Sequence, residues 1–233
     1  MKALILAGGL GTRLRPITYE IPKPLLPVKK RPILNHLIQL FDRYGASEIG
    51  VLVSRSHEND FALWRKNWEH DLPNEKISIF FEEKPSGTFG WLKNLRPWLA
   101  DEKFILSNGD ELKDLNLQKL KDFHEANSPV ATIALVPVPN PHEYGVPVLD
   151  NHRILEFIEK PQNPPSHFIN SGLYILEPEI FNYANLDQDF LMIEKDVFPK
   201  VAAAGRLIGL KFEDGRWYDC GNLERWEKAM NEW

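Results

Sequence analysis

A short apolar run that ends on two glycines constrains this chain more than any other feature. Lys2 to Ala7 reads KALILA, and Gly8 and Gly9 follow at once. A continuous apolar run of this length suits a strand buried on both faces, as in parallel sheets. The glycines then allow a tight turn that a side chain would obstruct. The pattern recurs. EIGVLVS (Glu48 to Ser54), Ile77 to Phe81 and KFILS (Lys103 to Ser107) read as further buried strands. Between them, Pro32 to Tyr44 places Ile33, Leu34, Leu37, Ile38, Phe41 and Tyr44 on one helical face, with Pro at the start and Gly45 as the stop. Glu58 to His70 and Phe89 to Leu99 are read as helices too. Strands alternating with helices at this spacing predict an α/β fold with a largely parallel sheet. Ligands in such sheets bind beyond the carboxyl ends of strands. Gly8 to Arg13 and Asn108 to Asp110 both follow a strand in that way.

The second half is predicted to be richer in short extended pieces. A helix over Leu117 to Ala126 and a strand over Val130 to Val138 are followed by strands at Gly145 to Leu149, Arg153 to Ile158 and Phe168 to Leu176. A helix from Phe190 to Ala204, a strand from Arg206 to Phe212 and a helix from Leu223 to Glu232 complete the expectation. The 233 residues are 43% hydrophobic, enough to bury a core without disulfides. The single cysteine, Cys220, excludes an internal disulfide and favours a reducing compartment. A formal net charge of -5 argues against nucleic acid or an anionic membrane as partner. No apolar run reaches the ~20 residues of a membrane span, so a soluble, cytoplasmic protein is expected.

The segment Leu6 to Val28 reads LAGGLGTRLRPITYEIPKPLLPV. Its glycines would let backbone N–H groups approach phosphate oxygens. Arg13 and Lys23 would add positive charge, and Pro22 and Pro24 would hold Lys23 in a stiff segment. The spacing is not that of a P-loop, and Leu14 stands where a dinucleotide fingerprint needs glycine. Taken alone, the loop indicates phosphate and no particular reaction. Asp110, after a strand, and Asp219, in Trp217-Tyr218-Asp219-Cys220-Gly221, each read first as a turn or cap residue.

The loop resembles the amino-terminal signature of sugar-1-phosphate nucleotidyltransferases, roughly GGxGTRLxPxTxxxPKPLxPV. It matches at Gly8, Gly9, Gly11, Thr12, Arg13, Leu14, Pro16, Thr18, Pro22, Lys23, Pro24 and Val28. The resemblance implies a Rossmann-like nucleotidyltransferase fold: a mixed, mostly parallel central sheet flanked by helices, with a small β-rich sugar-binding portion. It implies one domain over 1–233, mainly nucleotide-binding to residue 128 and mainly sugar-binding after it, with no carboxyl-terminal β-helix. Nucleoside triphosphate would meet Leu6, Gly8, Gly9, Gly11, Thr12, Arg13, Lys23, Gly87, Thr88 and Gly109. Asp110 and Asp219 stand where the family places its metal carboxylates, and the metal would be Mg²⁺.

Three more patches extend the resemblance. Tyr144-Gly145-Val146 is similar to the family's Y-G-V step, Phe157 to Pro161 to its F-x-E-K-P step, and Asn170 to Tyr174 to N-x-G-x-Y. They imply a sugar-phosphate site of Gly145, Glu159, Lys160, Asn170 and Gly172. Arg13, Lys23, Asp110, Lys160 and Asp219 would carry the reaction, in which a nucleotidyl group passes to a sugar 1-phosphate and pyrophosphate leaves. Pro85 to Trp91 (PSGTFGW) resembles the guanylyl type at its Gly-Thr step, which favours GTP and a mannose-1-phosphate-like hexose. The resemblance leaves room for uridylyl or thymidylyl transfer, for a non-catalytic relative and for a homodimer. Asn222, where threonine is usual, is expected to cap the last helix. Cys220 is read as a small buried filler, and Trp64, Trp68, Trp91 and Trp98 as core.

Overall fold

The computed structural model describes residues 1–233, except for the side chain of Glu159, which lies outside the described residues. Thirteen strands run in chain order. They are β1 Lys2–Leu6, β2 Pro27–Val28, β3 Arg31–Pro32, β4 Ile49–Ser54, β5 Ile77–Glu82, β6 Phe104–Asn108, β7 Glu111–Asp114, β8 Ala131–Pro137, β9 Gly145–Asp150, β10 Arg153–Glu159, β11 Phe168–Leu176, β12 Leu207–Lys211 and β13 Arg216–Asp219. The helices are α1 Ile17–Glu20, α2 Ile33–Arg43, α3 Glu58–Asn67, α4 Arg96–Leu99, α5 Leu117–Asn127, α6 Phe198–Ala203 and α7 Leu223–Glu232. Nine strands form one mixed, mostly parallel sheet in the order β5-β4-β1-β6-β11-β8-β12-β10-β9. This is the α/β architecture expected.

The chain divides into two compact units that are interleaved in sequence. The first comprises Met1–Pro85, Ser107–Asp114 and Arg216–Trp233; the second comprises Ser86–Leu106 and Leu115–Gly215. In the first, β1, β4 and β5 pair in parallel. All of Ala3, Leu4 and Ile5 are buried, which explains the unbroken apolar run. Helix α2 buries Ile33, Leu34, Leu37, Ile38 and Phe41. In the second unit β8 pairs in parallel with β12 and antiparallel with β11, while β9 and β10 form an antiparallel hairpin. Among the described residues no helix is long and apolar enough to cross a membrane.

Three local expectations need correction. The segment read as a helix over 89–99 is a 3₁₀ helix, Gly90–Leu95, followed by the single turn α4. Pro97 is tolerated there because it falls in the first turn, where its missing N–H is not needed. The helix expected from Phe190 starts later, with a π-turn at Ile193–Val197 leading into α6. The preceding residues are held by another pairing: Leu191 N–H donates to Ser86 C=O at 3.0 Å, and Phe89 N–H to Leu191 C=O at 2.9 Å. Of the four tryptophans read as core, only Trp64 is buried, with its indole N–H donating to Asn35 at 2.7 Å. Trp68, Trp91 and Trp98 are half-buried.

One buried polar group gives the fold a pH dependence. His124 of α5 is buried. Its Nε2–H donates to Glu177 at 3.0 Å, and Nδ1 accepts from the Thr132 hydroxyl at 2.7 Å, a pairing that satisfies the neutral ring. Burial pushes its pKa below the ordinary value of 6.5, against the pull of Glu177. The unfolded chain therefore takes up this proton at a higher pH than the folded one. The stability of the neutral ring is present above about pH 6.5 and is lost as pH falls below it. Melting temperatures measured from pH 7.5 to 5.5 should show a shallower slope for His124→Gln than for wild type. Equal slopes would contradict this account.

Candidate active site

In the first unit, β1 delivers the glycine loop and a second turn is stitched to its end. Gly109 N–H donates to Leu6 C=O at 2.9 Å. A Cβ on Gly109 would stand 2.6 Å from that same carbonyl, so only glycine allows the approach. Asp110 is thereby brought to the end of β1. Within the loop, Gly11 adopts a left-handed conformation with φ 59°, and Thr18 Oγ1 donates to its carbonyl at 2.8 Å. A Cβ at Gly9 would meet nothing within 4 Å, so the chain's own packing does not require glycine there. Thr12 and Arg13 are exposed in a 3₁₀ turn, whereas Leu14 anchors that turn in a core cluster with Leu26, Val28, Ile33, Leu112, Cys220 and Ala229.

Lys23 lies between two buried prolines, is 6% exposed, and pairs through Nζ with Asp110. The Asp110 side chain remains 37% exposed. Burial acts to raise its pKa, but the charge and hydrogen bond of Lys23 outweigh it and hold the carboxyl below the usual range. The antiparallel ribbon of β7 and β13 sets Glu111 opposite Asp219, and Cys220 N–H donates to Asp110 C=O at 3.3 Å. Asp219 pairs with Arg225. Burial pushes the Asp219 carboxyl up, Lys23 pulls it back, and the like charge of Asp110 adds to the rise. The two aspartates, far apart in sequence, thus act on each other, and Lys23 and Arg13 act on them. A Cβ at Gly221 would lie 2.7 Å from Asp219 Oδ1 and 3.1 Å from Arg13 Nη2, which puts this guanidinium beside Asp219.

Three participants escaped the sequence reading. Arg225 sits in the first turn of α7. Asn222 caps that helix as expected, its Oδ1 accepting from Arg225 N–H at 2.9 Å. Glu111 and Lys113 form a buried pair at 2.9 Å beneath the Asp110 turn, and Trp217 Nε1–H donates to Glu111 at 3.0 Å. Glu111 is thus a buttress rather than a third open carboxylate. Cys220 is fully buried; burial pushes its thiol up to about 12, so it is the inert filler expected.

Asp110 and Asp219 offer hard oxygen donors. Among the described residues no group of three or more His, Cys, Asp or Glu side chains could hold a metal. The pair would have to share an ion with phosphate oxygens and water. That donor set fits Mg²⁺, which commonly binds through one or two carboxylates plus substrate phosphates.

The other residues singled out in the sequence lie in the second unit. Gly87 has φ 76°, and a Cβ there would run into Leu191 C=O. Its glycine is required by the pairing with segment 190–192. The Thr88 hydroxyl donates to Glu194 at 2.9 Å and accepts from Ile193 N–H at 2.8 Å. Phe89 is core, in contact with Phe181 at 5.4 Å between ring centres. Gly145 and Glu159 are brought opposite each other by the β9–β10 hairpin, and Lys160 N–H donates to Tyr144 C=O at 3.1 Å. Lys160 is exposed; the Glu159 side chain lies outside the described residues. On β11, Asn170 Oδ1 accepts from Gly172 N–H at 2.9 Å, and Asn170 Nδ2 donates to the Tyr174 hydroxyl at 2.9 Å.

The family model described as Nucleotidyl transferase matches residues 2–233. The chain belongs to the nucleotidyl transferase family. Among curated relatives, the mannose-1-phosphate guanyltransferase beta-B of Xenopus laevis is 36% identical over 225 residues, covering 95% of this chain and 61% of the relative. The mannose-1-phosphate guanylyltransferase 1 of Arabidopsis thaliana is 36% identical over 226 residues, with the same coverage. The chain therefore spans about 61% of the length of these nucleotidyl transferase relatives. Among solved structures, HddC from Yersinia pseudotuberculosis shares 28% identity, with a TM-score of 0.83 over 99% of this chain and 98% of that one. The same protein complexed with GMP-PN gives a TM-score of 0.82.

Proposed function

We propose that this chain transfers a guanylyl group from GTP to a mannose-1-phosphate-like hexose 1-phosphate, releasing pyrophosphate. The observation that carries the proposal is the cluster of Lys23 on Asp110, and Arg13 and Arg225 by Asp219, at the end of the glycine loop. Paired cations and carboxylates beside exposed backbone suit a reaction in which highly charged phosphates must be held and neutralised. Guanine and mannose are both supported by similarity to mannose-1-phosphate guanylyltransferases, and guanine also by the GMP-PN complex of HddC.

A phosphate oxygen of the sugar 1-phosphate attacks the α-phosphorus. A new P–O bond forms, the α–β bridge breaks, and its electron pair leaves with pyrophosphate. No protein nucleophile is required, so the residues mainly position and neutralise. Backbone N–H groups of Gly8, Gly9, Gly11 and Thr12 would hold phosphate oxygens, with Arg13 and Lys23 countering charge on the departing pyrophosphate. Lys160 would orient the attacking phosphate. Gly145, Glu159, Asn170 and Gly172 would select the sugar, and Gly87 and Thr88 would frame the nucleotide. Asp110 and Asp219 would hold Mg²⁺, which when bound adds positive charge at the phosphates. The nucleotide assignment is tested by kcat/KM for GTP, UTP and dTTP with mannose 1-phosphate. GTP should give the highest value; a higher value for UTP or dTTP would move the chain to uridylyl or thymidylyl transfer.

A further inference from the structure

A carboxylate that the sequence reading passed over lies at the centre of a continuous hydrogen-bond chain in the second unit. Glu194 is the second residue of the π-turn before α6. Its Oε2 accepts from the Thr88 hydroxyl at 2.9 Å, and its Oε1 from the Tyr174 hydroxyl at 3.3 Å. Thr88 in turn accepts from Ile193 N–H, and Tyr174 from Asn170 Nδ2. Asn170 closes the series by accepting from Gly172 N–H. Every hydroxyl in the chain both accepts and donates, so each bond polarises the next. Among the described residues no Lys or Arg stands within ion-pair distance of Glu194. Burial raises its pKa, and its own backbone N–H, the two hydroxyl donors and the charge of Lys195 work against that rise. A half-buried carboxylate with no close ion-pair partner is costly unless its oxygens are hydrogen-bonded. The two hydroxyls therefore help to hold Glu194 in place, and Glu194 accepts from both of them.

The backbone supports the same connection. Residues 86–89 pair with Leu191, and Gly87 can come that close only as glycine. At the other end, the pairing of β11 with β8 shifts register between Asn170 and Tyr174, and Gly172 has φ 63°. An irregular strand of this kind needs side-chain bonds to define its shape. Asn170 and Tyr174 supply them, and both are tied to Glu194.

We propose that Glu194 is a positioning residue that couples the Thr88 turn to the Asn170–Gly172 bulge, so that ordering one orders the other. Resting on the assignment of Thr88 to the nucleotide and Asn170 to the sugar phosphate, this makes the two substrates bind with positive cooperativity. Coupling of this kind commonly amounts to about five-fold or more in affinity.

Tyr174→Phe removes the hydroxyl but keeps the ring that packs on Phe198 at 5.2 Å. Glu194→Gln keeps the shape and removes the charge. Two measurements separate the wiring from the function. The first is NMR of the Asn170 side-chain amide and the Gly172 backbone amide in Thr88→Ser and Thr88→Val proteins. Thr88→Val should shift both signals, Thr88→Ser much less, and Tyr174→Phe should abolish the response. Unmoved signals, or a response that survives Tyr174→Phe, would overturn the coupling whatever the enzyme's substrates prove to be. The second is the dissociation constant of mannose 1-phosphate with and without a non-hydrolysable GTP analogue. Wild type should gain about five-fold, and Tyr174→Phe and Glu194→Gln should lose that gain with their melting temperatures little changed. A gain unchanged in both variants would overturn the proposal. Intact NMR coupling in a protein that binds neither substrate would instead refute the assigned function.

Discussion

Asp110→Asn should lower turnover by about 10²- to 10⁴-fold while leaving the fold intact. The turn that carries Asp110 is fixed by backbone, through the Gly109 N–H to Leu6 C=O bond and the Cys220 N–H to Asp110 C=O bond, and both survive the substitution. What is removed is a full negative charge that Lys23 keeps ionised. If the carboxylate's part in holding a divalent ion against the phosphates is worth about 3–5 kcal/mol in the transition state, the rate falls by that range. Asn retains one weak oxygen donor, so the loss should be smaller in high Mg²⁺. Steady-state rates over a Mg²⁺ titration check this. Wild-type turnover in Asp110→Asn at low Mg²⁺ would exclude a metal role for Asp110.

Lys23→Met should affect both activity and stability. The methionine fills much of the buried space left by the lysine stem, so packing changes little. The charge does change. Breaking a buried ion pair costs about 3–5 kcal/mol, but the exposure of Asp110 lets water offset part of this, leaving about 1–2 kcal/mol. For a chain of this length that corresponds to a fall in melting temperature of about 2–8 °C. Turnover should drop about 10²- to 10³-fold, as when a preorganised charge is removed from developing negative charge. Differential scanning calorimetry and single-turnover kinetics would separate the two effects. A stability loss with normal turnover would make Lys23 only a structural counter-ion for Asp110.

Where the chain's apolar pattern is long and regular, its structure was legible. KALILA became β1, the apolar face of Ile33 to Phe41 became the buried side of α2, and Leu223 to Glu232 became α7 with Asn222 as its cap. The tight turn after β1 was legible too, because a side chain at Gly8 or Gly11 would run into its neighbours. The β7–β13 ribbon was not. ELKD and RWYD carry no apolar alternation: Leu112 alone gives the core an aliphatic side chain, and the buried Glu111 and Lys113 on either side of it pair with each other. That ribbon sets Glu111 opposite Asp219, so the link between the two motif aspartates became visible only in three dimensions. Glu194 was hidden for a similar reason. Its partners Thr88 and Tyr174 lie 106 residues before it and 20 residues before it, and no local spacing records either bond. The interleaving of the two units likewise depends on three returns of the chain that no composition shift marks.

Guanylyl transfer is tested most directly by ³¹P NMR of the protein with GTP, mannose 1-phosphate and Mg²⁺. Signals of pyrophosphate and of a nucleotide sugar diphosphate should grow in equal amounts as both substrates disappear, and should stop growing in excess chelator. Unchanged substrates under these conditions would contradict guanylyl transfer, as would GTP breakdown that leaves the sugar phosphate untouched.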